Sequence, residues 1–570
     1  MTVIKQRPVL QETVEYLQAS GLPPLMSRLF AARGVADVAQ VAVNLSNLLP
    51  PQSLTNNQMM AKLLADAIQA NKKLLVVGDY DADGATATAV AVKGLRAFGA
   101  DVSFLVPNRF EYGYGLTPEI VALAATQKPD VIITVDNGIA SVDGVAAANA
   151  LGIQVLITDH HLPGTETPQA ACIINPNQHG CTFASKNLAG VGVMFYSLLA
   201  LRAEMRRRGV YTAAPEPNLT ELLDLVALGT VADLVRLDEN NRILVEQGLR
   251  RIRAGACSYG VTALLRVAGR EPAKATAQDL GFYVGPRLNA AGRLDDMTLG
   301  IQCLLAKSET EAAQIAQQLH NLNLQRRSIE ADMQDSANIS LDDVEMGGQY
   351  SISMYQPDWH QGVIGILASR IKERYHRPVI AFADAGDSLI KGSGRSIPGL
   401  HLRDALDLLS KHQPNLLLKF GGHAMAAGLT IRSDDFELFK HGFEAVVRSL
   451  ITEADLESVL EVDGNLSTAD MTFQVAQLLE NQVWGQGFSP PLFYDEFEVL
   501  NQRLLGEKHL KLTLKPVSAS SAPSGADSID AIYFNQTDFF GNRIQAAYQL
   551  QTNSYNGAQK VQLNLRYVVA

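Results

Sequence analysis

Between about residues 70 and 240, short apolar runs alternate with Ala-rich helical stretches, and acidic residues stand where several of the runs end. The runs fall at 73–78 (KLLVVG), 102–106, 130–135 (DVIITV) and 154–158 (QVLIT), with helices expected at 85–98, 118–126 and 141–151. Such alternation implies a parallel sheet covered on both faces. In that fold, residues just after each run gather at the carboxyl edge, where ligands bind at the switch in strand order. Asp79, Asp81 and Asp83 (GDYDADG) follow the first run, Asp136 (TVDNG) the third, and Asp159, His160 and His161 (TDHH) the fourth; Asp233 lies in LGTVADLV. So many carboxylates in one crevice would repel one another unless protonated or bound to cations. Oxygen-rich sites with one or two imidazoles suit Mn²⁺ or Mg²⁺, and two such ions about 4 Å apart can grip a phosphoryl group and activate water. GDYDADG alone would also serve as a turn and helix cap. The convergence of four separate segments is what points to metal.

The remaining chain divides by pattern. At 570 residues it is too long for one hydrophobic core. Residues 1–50 read as short helices joined by Pro-containing turns, 51–240 as the catalytic domain, and 241–345 as a helical linker region. Ser308 and Glu311 have the spacing of a capping box before a long helix at 309–338. About 30 residues at 1.5 Å each span roughly 45 Å, enough for an interdomain strut. A second α/β block at 346–450 carries DWHQGVIGILASRI, PVIAFAD, KGSGRSI and FGGHAMAAGLTI. Within 451–570, HLKLTL and KVQLNLRYVV alternate apolar with polar residues, as half-buried strands of a small β-barrel do. A Ser/Ala/Gly-rich loop at 517–528 separates these strands.

No apolar run approaches the roughly 20 residues of a membrane-spanning helix. The polar N-terminus does not resemble a secretory signal. The four cysteines, Cys172, Cys181, Cys257 and Cys303, fall at spacings that suit neither a disulfide framework nor a metal knuckle. The expectation is a cytoplasmic protein with no membrane partner. A net charge of −11 argues mildly against nucleic acid, but a metal-holding carboxylate cluster accounts for part of it. Any DNA path must then be a local basic strip.

GDYDADG, VDNG, TDHH and GTVAD, in this order, resemble the four motifs of the DHH phosphoesterase superfamily, and GGHAMAAGL resembles its associated DHHA1 domain. The N-terminal helices, the long helix, PRLNAAGRLDD and the terminal barrel extend the likeness to the superfamily's single-strand-specific 5′-to-3′ DNA exonucleases. The resemblance implies a parallel-sheet DHH domain and a second α/β (DHHA1) domain joined by a long helix, plus a C-terminal OB-like barrel. It implies two Mn²⁺ or Mg²⁺ ions, with Asp81 on one, Asp83 on the other, Asp136 bridging, and His160 and Asp233 completing the second site. His161 would meet the scissile phosphate or assist the leaving group, and Asp79 would support the first site. Relatives often have histidine where this chain has Val77, which leaves the first ion fewer protein ligands.

The resemblance also implies a pocket for a 5′-terminal phosphate, built from Arg109, Ser393 and Arg395. Guanidinium groups suit that task through paired charge-assisted hydrogen bonds. Tyr114, with Phe110 and Tyr112, could stack on bases or pack in the core. His360 with Gly362, and Gly422 with His423, would offer backbone amides to phosphate. Arg287, Asn289 and Arg293 would line the path further along. Lys508, Lys511, Lys515, Lys560 and Arg566 are candidates for a basic groove on the barrel. The implied reaction is hydrolysis of single-stranded DNA from a 5′ end to mononucleotides, in recombination and repair, beside a helicase and a single-strand-binding protein. An end-binding cleft asks for only a monomer. Two alternatives stand beside this reading: a DHH-type phosphodiesterase of short oligonucleotides or cyclic dinucleotides, and a non-catalytic replication scaffold of the same fold.

Overall fold

The computed structural model describes residues 2–108, 112, 115–212, 214–342, 348–517, 528–555 and 558–569. Two compact units emerge: one comprises Gln6–His320 with Glu461–Ala570, the other Met1–Lys5 with Asn321–Leu460.

The larger unit contains the expected parallel sheet, in the order Asp101–Leu105, Lys73–Gly78, Val131–Val135, Gln154–Thr158, Cys172–Ile174. All its pairings are parallel. The chain passes from Lys73–Gly78 to Asp101–Leu105 on one side and then to Val131–Val135 on the other, so the switch point lies between Lys73–Gly78 and Val131–Val135. Val76, Ile132, Ile133, Val155, Leu156 and Ile157 have almost no exposure, as expected of strands covered on both faces. Helix Ala82–Ala97 follows the first strand, beginning three residues earlier than the apolar pattern suggests because Asp81 caps it: Oδ1 accepts the Gly84 amide at 3.0 Å.

The same unit holds the terminal barrel. It closes in the order Phe493–Leu505, His509–Pro516, Ile529–Tyr533, Ala558–Val569, Arg543–Tyr555. Only the pairing of Ile529–Tyr533 with Ala558–Val569 is parallel. Leu510, Leu512 and Leu514 point inward in strict alternation. In the last strand that alternation fails, since Leu563, Asn564 and Leu565 are all buried. A register shift at Ala547/Tyr548 in the partner strand accompanies the break, and Asn564 Nδ2 donates to Gln551 Oε1 at 3.2 Å.

The smaller unit is a mixed sheet, ordered Lys419–Gly422, Ala426–Arg432, Leu389–Arg395, Val379–Asp384, Ile352–Tyr355. Phe382, Phe439 and Phe443 fill its core together with Leu402 and Leu406. Thr2–Gln6, expected within a helical segment, is instead a strand and pairs with Ser458–Val462.

The long helix runs Glu309–Asp342, four residues beyond the expected end. Ser308 Oγ accepts the Glu311 amide at 3.2 Å, but the Glu311 carboxylate accepts from Lys307 rather than from Ser308. The cap is therefore half of the expected box. All four cysteines are free thiols. Among the described residues, no helix is long and apolar enough to cross a membrane.

Candidate metal centre

Each acidic group stands at the carboxyl edge of the parallel sheet or on a helix beside it. Asp79, Asp81 and Asp136 offer ligand atoms all within 4.8 Å of one another, as do Asp83, His160 and Asp233, and also Asp136, His160 and His161. His160 Nε2 lies 3.1 Å from Asp136 Oδ1, 3.5 Å from Asp233 Oδ2 and 3.9 Å from Asp83 Oδ2.

Local chemistry fixes these positions. Asp83 is fully buried, and its carboxylate accepts the amides of Gly190 (2.6 Å) and Val191 (2.9 Å), the first residues of helix Gly190–Arg207. A carboxylate there satisfies orphan amides and faces the positive end of the helix dipole. Asp136 sits in the left-handed backbone region, with φ of 62°, and its amide donates to Thr158 O at 3.0 Å. Asn137 Nδ2 donates to both Val77 O (3.2 Å) and Val135 O (2.9 Å), clipping together the two strand ends that carry the aspartates. Val77 itself is buried in the sheet.

Electrostatics agree with a cation site. Burial and the neighbouring Asp81 charge push the Asp83 carboxyl up to about 7. Burial and surrounding carboxylates likewise push Asp136 and Asp233 well above the ordinary range. Groups so arranged hold protons in the metal-free protein and lose them to solvent when divalent cations bind. An oxygen-rich set with imidazole fits Mn²⁺ or Mg²⁺.

Several contributors are not obvious from the sequence. Asp159 takes no part in the three ligand groups; Oδ1 meets His161 Nδ1 at 2.8 Å and the amides of His160 and His161 at 2.7 and 3.1 Å. Its Oδ2 accepts the Ile139 amide at 2.9 Å. Burial opposes ionisation of Asp159, but the bond and charge of His161 overrule it and hold the carboxyl below its usual range. Burial likewise opposes charge on His161, yet the Asp159 bond and nearby carboxylates raise it to about 9. Asn175 and Asn177 donate to the carbonyls of His161 (2.8 Å) and His160 (2.6 Å), clamping the TDHH backbone. The NPN triplet after a short strand is the available signal. Gly190 is required by space: a Cβ there would lie 2.6 Å from Asp136 Oδ1.

The expected DNA contacts fall in both units. Asn289 Oδ1 accepts the Ala82 amide at 2.8 Å, and a Cβ on Gly292 would lie 1.9 Å from Tyr80 O. Helix Gly285–Leu294 thus grips the acidic loop directly. Arg287 is buried, donating to Tyr283 O at 2.5 Å and to His320 Nδ1 at 3.2 Å, while Arg293 is half-buried. In the smaller unit, Arg395 donates to Ser393 Oγ at 3.3 Å, and a Cβ on Gly365 would lie 2.9 Å from both side chains. His360 accepts the Gly362 amide on Nδ1 (3.0 Å) and the Val363 and Ile364 amides on its carbonyl, so these amides are engaged within the loop. Gly422, at φ of 148°, leaves no room for a Cβ beside Ala426 O, and the His423 amide donates to that same oxygen at 2.8 Å. On the barrel, Lys511 pairs with Asp530 at 3.1 Å and Arg566 donates to Gln549. Arg109, Phe110 and Tyr114 lie outside the described residues.

Residues 73–230 match the DHH family N-terminal domain, 347–449 the DHHA1 domain and 462–567 the RecJ OB domain. With the acidic centre, these matches define a DHH/DHHA1 phosphoesterase that carries a terminal OB barrel. The chain is 50% identical to a single-stranded-DNA-specific exonuclease RecJ of Salmonella typhimurium, over 98% of this chain and 97% of that one. It is 33% identical to the RecJ of Thermus thermophilus, over 90% of this chain and 70% of that one. The chain belongs to the RecJ family of exonucleases. A crystal structure of RecJ from Thermus thermophilus in complex with Mn²⁺ superimposes with a TM-score of 0.82 at 29% identity, covering 100% of this chain and 79% of that one. A Mg²⁺ complex of RecJ from the same organism gives 0.76 at 28%, covering 99% of this chain and 78% of that one.

Proposed function

We propose that this chain hydrolyses single-stranded DNA from its 5′ end, releasing mononucleotides, with two divalent cations held in the acidic centre. The observation that carries this reading is the convergence of Asp79, Asp81, Asp83, Asp136, His160, His161 and Asp233 from separate segments at one sheet edge. Family membership narrows the substrate: its relatives are named as exonucleases specific for single-stranded DNA. Asp79 and Asp81 would serve one ion, Asp83, His160 and Asp233 the other, with Asp136 shared. Bound cations would neutralise phosphate charge and lower the pKa of a coordinated water.

The side chains supply position and protons. Asp159 fixes His161 through Nδ1, so Nε2 is the ring nitrogen that would meet a phosphate oxygen or leaving group. Against the opposing effect of burial, the Asp159 bond favours the charged form of the ring, which suits stabilisation of that developing charge. Asn137, Asn175 and Asn177 stiffen the loops that carry the ligands, which matters because phosphoryl transfer depends chiefly on alignment and charge. Ser393 and Arg395 pair a hydroxyl with a guanidinium and would hold a terminal phosphate, setting polarity; Arg109 offers the same guanidinium chemistry. A helicase and a single-strand-binding protein are the partners such an activity calls for, and one copy of the chain suffices.

Digestion of strands labelled at either end, with and without Mn²⁺, tests the reading. Metal-dependent loss of the 5′ label first, abolished by Asp136→Ala with strand binding retained, is the expected result. Faster turnover of a dinucleotide than of a long 5′-phosphorylated strand would favour the short-oligonucleotide enzyme. No cleavage under either metal would favour the scaffold.

A further inference from the structure

Pro286 interrupts a helical stretch, and the chain answers by widening it. Leu280–Val284 forms a turn of π-helix in which the Gly285 amide reaches back five residues to Leu280 O. A proline lacks the amide of the ordinary bond and its ring crowds the carbonyl four residues earlier, here that of Phe282. The wider turn relieves that crowding, and Arg287 supplies a guanidinium to Tyr283 O. Such turns occur often at functional sites.

The consequence is a large apolar side chain turned to solvent. Phe282 is 73% exposed, the most open of the large aromatic side chains in the described residues. Its neighbour Tyr283 is held beneath the Arg270 guanidinium at 4.7 Å, and Arg270 is in turn paired with Asp279. The turn is pressed onto helix Leu223–Ala232, whose C-cap is Asp233. A Cβ on Gly281 would lie 3.1 Å from Val231, and one on Gly285 would lie 3.1 Å from Ala232. Leu234, directly after Asp233, is also exposed, at 66%. An apolar ring thus faces solvent from a turn packed against the helix that Asp233 caps, where folding alone would favour a polar residue.

We propose that Phe282 is a stacking platform for a base of the single strand bound at the acidic centre. This rests on the nuclease reading above. Every base offers a π-face, so such a ring would hold a strand without selecting its sequence. It would also favour unpaired over paired bases, since a base already in a duplex has its faces covered.

The test uses the full-length protein. Phe282→Ala should raise KM for a 20-nucleotide strand by roughly 5- to 150-fold, the range for losing one stacked base, and Phe282→Trp should restore it. In an Asp136→Ala background, a 2-aminopurine walked along the strand should be quenched at one position, and the added Phe282→Ala should abolish that quenching. Unchanged KM in Phe282→Ala, failure of Trp to restore it, or quenching that survives the substitution would each overturn the proposal. A melting temperature matching the parent's separates loss of stacking from loss of fold. If the parent binds and quenches the strand yet never cuts it, the nuclease reading fails while the stacking role stands.

Discussion

His161 Nδ1 lies 2.8 Å from Asp159 Oδ1, and that same oxygen accepts the amides of His160 and His161. One carboxylate therefore fixes both the ring and the backbone of the histidine pair. Asp159→Asn should lower kcat by roughly 10- to 100-fold, the usual cost of losing a partner that orients a metal-site histidine. It should also cost about 1–3 kcal/mol of stability, because an amide cannot satisfy both the His161 side and the Ile139 amide. Turnover and thermal melting of the purified variant check both figures. Parental kcat in a well-folded variant would remove Asp159 from the mechanism.

Gly190→Ala tests how tightly the centre is built. The added methyl would lie 2.6 Å from both Cβ and Oδ1 of Asp136, and the Gly190 amide is bonded to Asp83 at 2.6 Å. Either the aspartate or the helix start must shift, and misplacement by about an ångström can cost roughly 100-fold in rate. Mn²⁺ titration by calorimetry, together with kcat on a single strand, should show both affinity and turnover falling. Unaltered metal binding would mean that Asp136 can move aside freely.

Much of this centre is legible before folding, because apolar runs reveal strands and the sheet's geometry dictates where their following residues must gather. The strands Lys73–Gly78 and Gln154–Thr158 follow directly from such patterns. Asp159 is visible as a carboxylate but not as the orienter of His161, since a ligand and a ligand's support look alike in sequence. Asn289 shows the converse: its motif suggests a nucleic-acid path, and the structure adds a bond from the Ala82 amide to its side chain that no sequence pattern announces. The strand Thr2–Gln6 is hidden because its partner lies far along the chain at Ser458–Val462, and no local periodicity records such a pairing.

The carboxyl cluster makes stability depend on pH with a definite sign. Burial and Asp81 raise the Asp83 carboxyl to about 7, and burial with neighbouring carboxylates also raises Asp136 and Asp233. Between the unfolded value near pH 4 and about pH 7, the metal-free folded protein holds protons that the unfolded chain has released. The contribution of these groups to stability must fall as pH rises through that window. Cations need the ionised ligands, so their stabilising effect should grow in the same direction. Melting curves with and without Mn²⁺ should show a larger gain at about pH 8 than at about pH 5. An equal gain at both would mean that the carboxylates are already ionised before metal arrives.

Arg33 and Asp463 tie the N-terminal helices to the segment leading into the barrel. Their two hydrogen bonds are each 2.9 Å long, and both side chains are almost wholly buried. The guanidinium also donates to Ser489 O and Leu29 O, each at 2.7 Å, while Asp463 Oδ2 accepts the Leu492 amide at 2.9 Å. Arg33→Ala would leave Asp463 buried, with Arg7, 3.9 Å away, as its remaining ion-pair neighbour among the described residues. Breaking a buried pair from one side costs about 3–5 kcal/mol, because the remaining charge has lost its compensation. Asp463→Asn in the same background removes that charge and should recover part of the loss. Chemical denaturation of the single and double variants measures both steps. The pair is distant in sequence from the candidate metal ligands, so Mn²⁺ affinity of the folded Arg33→Ala protein should match that of the parent. A large fall in affinity would show that the acidic centre depends on how the N-terminal helices are anchored.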